Sequence, residues 1–316
     1  MKCPVCASDS TSELDKLWDD RYAYPGRFTK MGCAGCGHIF LVCGLTARQL
    51  GDLYTNYYPR KSLDINKYHA YVEQDGFLAW INGLGSSAFR WVPVGVRVLD
   101  VGCGFGESIG YHAARGCDVY GVEADENIRR VIEKFGYKIH VGLFDENIYE
   151  RDFFDYVTMD QVIEHVTDPI TALQGIERIL KPGGVVILST PNANGWGANL
   201  FKKRWINWHA PYHLQFFSNH SIRIAAEKAG LVLTSTTTVT SSDWLLYQWI
   251  HLIAYPKLGS PSWFWSPDKS NATILKKIFV EILVFFHKTK INHLITRIFD
   301  GLNFGDNCVY ILKKPE

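Results

Sequence analysis

Val98-Leu99-Asp100-Val101-Gly102-Cys103-Gly104-Phe105-Gly106-Glu107 is the stretch on which the architecture of this 316-residue chain turns. A β-branched apolar run ends at an acid, and alternating glycines then let the backbone turn tightly and lie close to a ligand before a helix begins. That sequence of strand, turn and helix is a cradle for a nucleotide-type cofactor. The dinucleotide fingerprint needs a further glycine three residues after its second. Counted from Gly102 and Gly104 that place holds Glu107, and counted from Gly104 and Gly106 it holds Ile109, which argues against NAD.

Outward from the loop, Val119-Tyr120-Gly121-Val122-Glu123 reads as the next strand and closes on a carboxylate that can accept from both hydroxyls of a ribose. Loop and acid together resemble motif I of class I S-adenosylmethionine (SAM) methyltransferases. The resemblance implies an α/β, Rossmann-like sheet and a SAM site built from Asp100, Gly102, Cys103, Gly104 and Glu123. The strand and helix alternation continues across residues 96–239, with Gly116 and Gly136 as helix stops, Asp168 and Pro169 opening a helix, and Ser218 capping another. A parallel sheet covered by helices follows from it. Leu143 and Phe144, beyond the strand 138–141, are expected at the adenine. Asp160 and Gln161, where the strand 154–160 ends, are expected at the cofactor. Residues 307–316 are expected to return as an antiparallel edge strand.

Cys3-Pro4-Val5-Cys6 and Cys33-Ala34-Gly35-Cys36 are paired CxxC knuckles, so residues 1–44 read as a zinc ribbon with Cys3, Cys6, Cys33 and Cys36 closing a structural site. His38 reads as a solvated neighbour of the second knuckle. Residues 45–95 read as a helical connector, because Leu50, Leu53, Tyr57, Tyr58, Tyr68, Tyr71, Phe77 and Leu78 recur at helical spacing. Its tyrosines can pack in the core or roof the active site. Lys and Arg number 33 against 32 Asp and Glu, and this balance provides no field to recruit nucleic acid. Met1-Lys2-Cys3-Pro4 leads into polar residues, and no uninterrupted apolar run is long enough for a bilayer, so the expected compartment is the cytoplasm.

Gln161-Val162-Ile163-Glu164-His165 resembles the ExxEH element of ubiquinone-type and small-RNA 2′-O-methyltransferases, with Gln161 where the family carries its first acid. His213, before Phe216-Phe217-Ser218, matches the family's second histidine, while His209 reads as a surface residue. The resemblance implies that Glu164, His165 and His213 serve the acceptor, by acid–base chemistry or by holding a divalent metal; an amide at position 161 weakens a Mg²⁺ site. The expected acceptor is a small molecule, a sugar on a nucleotide or lipid carrier, after a resemblance to bacterial glycan-associated enzymes. A phenolic or quinone-type acceptor and an RNA are the alternatives. Residues 240–306 form a helical insertion rich in aromatic residues. Its tryptophans are candidates to stack on sugar faces, and its apolar stripe, Ile278 to Phe286, can meet the sheet, a second copy in a homodimer, or a membrane surface.

Overall fold

The computed structural model describes residues 1–46, 49, 53–57, 64–266 and 273–316. Strands β1 (Thr11–Leu17), β2 (Phe28–Cys33) and β3 (Ile39–Val42) form an antiparallel ribbon sheet. Among the described residues the connector supplies helix α1 (Gly76–Asn82) and several single turns, shorter than the helices its spacing suggested. Its anchors are Ile81, Ala88, Phe89 and Val92, whereas Phe77, Leu78 and Trp80 stay exposed. Leu50 and Tyr58 of that reading lie outside the described residues.

The core then runs β4 (Arg97–Val101), α2 (Glu107–Ala114), β5 (Asp118–Glu123), α3 (Arg129–Phe135), β6 (Lys138–Val141), β7 (Phe154–Asp160), α4 (Pro169–Ile179) and β8 (Leu180–Pro191). Next come α5 (Trp196–Phe201), β9 (Gln215–Phe216), α6 (Asn219–Lys228) and β10 (Val232–Thr238). The insertion holds α7 (Ser242–Ala254), α8 (Ile274–Lys288) and α9 (Ile291–Gly301), and β11 (Asn307–Lys313) ends the sheet.

Seven strands make the large sheet in the order β10-β11-β8-β7-β4-β5-β6. β4 to β8 pair in parallel, and β11 runs antiparallel between β8 and β10. The order reverses beside β4, so a crevice opens at the carboxyl ends of β4 and β7. The helix signals act as read: Asp168 accepts from the Thr171 amide at 3.1 Å, Gly136 ends α3 in a left-handed conformation, and Ser218 exchanges bonds with Ser221 in a capping box. Lys181-Pro182-Gly183-Gly184 follows the end of α4 at Ile179 and lies within β8, where the register with β7 jumps from Phe154↔Leu180 to Tyr156↔Val185.

The ribbon does not stand apart. β9, from the loop after α5, pairs with β3 and becomes the fourth strand of its sheet. Leu17, Phe28, Leu41 and Leu53 share a core with Trp205, Trp208, Tyr212 and Phe216. A segment this small cannot bury a core by itself, and the loop supplies the missing half. No helix among the described residues is long and apolar enough to cross a membrane.

Candidate active site

The loop after β4 has the backbone that its glycines require: φ is +74° at Gly102, +57° at Gly104 and +81° at Gly106. A Cβ at Gly102 would stand 2.5 Å from Val162, whereas one at Gly104 would meet nothing within 4 Å, so the loop is packed behind and open in front. The Gly104 amide donates to Glu123 at 2.9 Å, and the second Glu123 oxygen accepts the Asp125 amide at 2.8 Å. Each carboxylate oxygen keeps a lone pair for a further donor, so Glu123 stays suited to a ribose.

Asp100 sits elsewhere than expected. It is buried, its carboxylate accepts from the hydroxyls of Ser108 and Thr158, and it braces the loop from behind without facing the crevice. Burial raises its pKa to about 6 despite those two bonds. Cys103 is buried too, its sulfur against Gly121. Leu143 lies exposed just beyond β6, whereas Phe144 turns into the core against Gly175 of α4. Tyr68, one of the connector tyrosines, donates to the Gly106 carbonyl at 2.6 Å and covers the loop.

At the end of β7, burial pushes Asp160 up to about 7 against bonds from Ala88 and Ser87. Gln161 has φ +57°, and its amide donates to Ser189 and Asn307, each at 2.9 Å. That side chain is tied to β8 and β11. Glu164, His165 and His213, in contrast, come together, with a ligating atom from each within 4.8 Å of the others. The His165 and His213 rings are perpendicular with centroids 4.7 Å apart.

Backbone carbonyls orient both imidazoles. Nδ1 of His165 lies 2.9 Å from the Tyr212 oxygen and Nδ1 of His213 lies 2.8 Å from that of Asn207. Nδ1 is therefore the protonated nitrogen in each, and Nε2 carries the lone pair. One Glu164 oxygen accepts from Thr190 at 2.9 Å, and the other is buried without a partner. Burial raises Glu164 to about 8 and lowers both histidines, His213 the further because His165 adds to the effect. A buried carboxyl with an orphan oxygen gathered with two neutral imidazoles fits a divalent cation. Such a nitrogen-rich set suits a transition metal better than Mg²⁺.

Two histidines differ from their sequence reading. His38 is fully buried, with Nε2 2.9 Å from Gln215 Oε1. His209 is buried between Tyr212 and His213. Tyr22, on the ribbon loop after β1, meets the His209 and Tyr212 rings edge-on, so the ribbon forms one wall of this region. No motif marked that wall, because the residues involved are nearly two hundred positions apart in the chain.

The four ribbon cysteines also converge, with Sγ pairs Cys3–Cys36 at 3.6 Å and Cys6–Cys33 at 3.4 Å. Tetrahedral zinc with bonds of ~2.3 Å sets sulfurs about 3.8 Å apart, so these residues fit the ion. The insertion's tryptophans are used in packing: Trp249 abuts Phe201, and Trp265 abuts Tyr247 and Phe264. The basic run at 202–204 is engaged as well, since Lys203 pairs with Asp15 at 2.7 Å and Arg204 covers Tyr255.

A family model described as a methyltransferase domain matches residues 68–236. The ubiquinone biosynthesis O-methyltransferase of Alkalilimnicola ehrlichii is 36% identical over 107 residues, 32% of this chain and 43% of the relative. That of Pseudomonas syringae pv. tomato is 36% identical over 138 residues, 40% of this chain and 60% of the relative. The chain therefore spans about half the length of the curated relatives it matches. Phosphoethanolamine N-methyltransferase 2 of Haemonchus contortus, solved with S-adenosyl-L-methionine, shares the fold: the TM-score is 0.50 at 20% identity, over 88% of this chain and 63% of that one.

Proposed function

The chain belongs to the methyltransferase-domain family, and on that premise we propose that it transfers the methyl group of SAM to a hydroxyl of a small aromatic acceptor of the phenol or quinol class. The observation that carries the reading is the Glu164, His165 and His213 cluster at the end of β7. SAM, when bound, supplies an electrophilic methyl on sulfonium. Amines, thiols and carboxylates attack such a carbon with little help, but a hydroxyl must lose its proton. Two oriented, neutral imidazoles gathered with a carboxyl meet that need.

The chain's own residues divide the work. Gly102 and Gly104 give the backbone room to lie against the cofactor, Glu123 holds its ribose, and Tyr68 and Asp100 keep the loop in place from above and behind. Without an ion, His165 or His213 takes the acceptor proton. Alternatively, Glu164 with the two histidines would hold a divalent ion, and an ion there would lower the pKa of the acceptor hydroxyl. The zinc ribbon, in this reading, shapes the acceptor side through Tyr22 and β9.

The names of the relatives support a phenolic acceptor. The sugar expectation is less well supported, since Trp249 and Trp265 of the insertion are half-buried against Phe201 and Tyr247. An RNA acceptor fares no better with the one compact basic run engaged by Asp15 and Tyr255. Incubation of the purified chain with methyl-labelled SAM and a panel of catechols, quinol precursors, nucleotide sugars and RNA tests the proposal. Label on a phenolic oxygen is expected; label confined to sugar, RNA or a nitrogen would reject it.

A further inference from the structure

Helices α8 and α9 bury the wrong side for a monomer. None of the 15 residues of α8 is buried. α9 tucks its polar residues Asn292, His293, Thr296 and Arg297 inward and shows Leu294 and Ile298 to solvent at 54% and 61% exposure. Its polar face is anchored by bonding, because Arg297 pairs with Asp300 at 2.6 Å and donates to the Trp80 carbonyl at 2.6 Å. The apolar faces are thus left outward by construction, and a monomer rarely exposes so large a patch.

We propose that the outer face of α8 is the contact between two copies of this chain, packed antiparallel about a two-fold axis near Phe279. Ile278, Ile282, Phe285 and Phe286 line a groove into which Lys277 and Glu281 are also set. The two charges lie one turn apart, and neither has an ion-pair partner within the chain among the described residues. An antiparallel copy brings Lys277 of each chain against Glu281 of the other, so the surface is complementary to itself. At roughly 100 Å² for each half-exposed large side chain, the apolar residues of α8 and its neighbours reach the ~800 Å² per partner of a standard interface. A lipid surface would draw the charges of Lys277 and Glu281 toward hydrocarbon without the facing partners that a second copy supplies.

Sedimentation of the full chain at micromolar concentration reads the outcome, with circular dichroism as a check on folding. The parent should sediment as a dimer. Glu281→Lys and Lys277→Glu should each weaken dimerisation about tenfold or more through facing like charges. The double variant Lys277→Glu/Glu281→Lys should restore it, and mixing the two single variants should produce a heterodimer. A monomeric parent would overturn the proposal. So would a folded double variant that stays monomeric, or flotation of a monomer on anionic phosphatidylglycerol vesicles through this face.

Discussion

Nε2 of His38, beside the second cysteine knuckle, lies 2.9 Å from Oε1 of Gln215, two residues beyond His213. Both side chains are buried, and the Gln215 amide also donates to the Val166 carbonyl at 3.0 Å, next to His165. One side chain therefore ties the ribbon to both candidate catalytic histidines. An ion held by the four ribbon cysteines would thereby be coupled to the candidate catalytic histidines by position, although its site would be closed.

Loss of the ribbon metal should thus cost activity before it costs cofactor binding. Cys33→Ser removes one of the converging thiolates. Turnover is expected to fall about 10- to 100-fold, the range seen when the support of a functional ligand is removed, with SAM affinity held within a factor of about two. Metal analysis should find one zinc in the parent and none firmly held in the variant. A zinc-free parent, or a variant with normal turnover, would contradict this coupling.

Glu123 and Asp100 should separate binding from stability. Glu123→Ala frees the Gly104 and Asp125 amides and deprives the ribose of its acceptor, at about 1–3 kcal/mol of SAM affinity by calorimetry. Asp100→Ala strands the Ser108 hydroxyl in the core and leaves that of Thr158 only a 3.5 Å bond to the Leu99 carbonyl. Its cost, again about 1–3 kcal/mol, should appear in the unfolding free energy. The assignment is refuted if Glu123→Ala binds SAM like the parent.

Much of this was legible in the sequence because the signals are local. The strand Val98 to Val101, the glycine loop, Gly136 and Asp168 each declare an element within a few residues, and a parallel sheet follows from their alternation. Glu164, His165 and His213 were likewise legible as residues. What local pattern cannot supply is direction: the Gln161 amide points to Ser189 and Asn307 because its φ is +57°, and Asp100 turns behind its loop toward two hydroxyls. Nor does amphipathicity say which face meets protein. The stripe Ile278 to Phe286 of α8 lies exposed, and the neighbouring α9 docks through its polar Arg297 and Asp300 pair.

His112 should make stability depend on mild acid. It is fully buried in α2, both ring nitrogens lack partners among the described residues, and burial, reinforced by Arg115, holds its pKa at about 4. The imidazole is neutral in the fold and takes up a proton more readily once unfolded, near ~6.5. Its contribution is complete above ~6.5 and is lost as the pH falls through about 4, a drop of at most ~3 kcal/mol. Urea midpoints of His112→Phe should decline less steeply over that window than those of the parent. Part of the slope should persist, because His38 and His293 are also depressed to about 4. Equal slopes would remove His112 from the account.

The sharpest test distinguishes the two ways the Glu164 cluster can work. His165→Ala and His213→Ala should keep SAM affinity and lose about 10²–10⁴-fold in kcat, the value of a positioned base. Glu164→Gln then discriminates. With its pKa raised to about 8 by burial, Glu164 in the metal-free site is protonated at neutrality, and an amide imitates that neutral carboxyl. If the histidines act as bases alone, Glu164→Gln should turn over within about tenfold of the parent below pH 8, and chelators that spare the ribbon zinc should do nothing. If the cluster holds a cation, the carboxylate must be ionised to bind it. Glu164→Gln should then be as inactive as the histidine variants, and added Mn²⁺ should rescue the chelated parent but not the variant. Parent-like turnover in both histidine variants would place the chemistry elsewhere in the crevice.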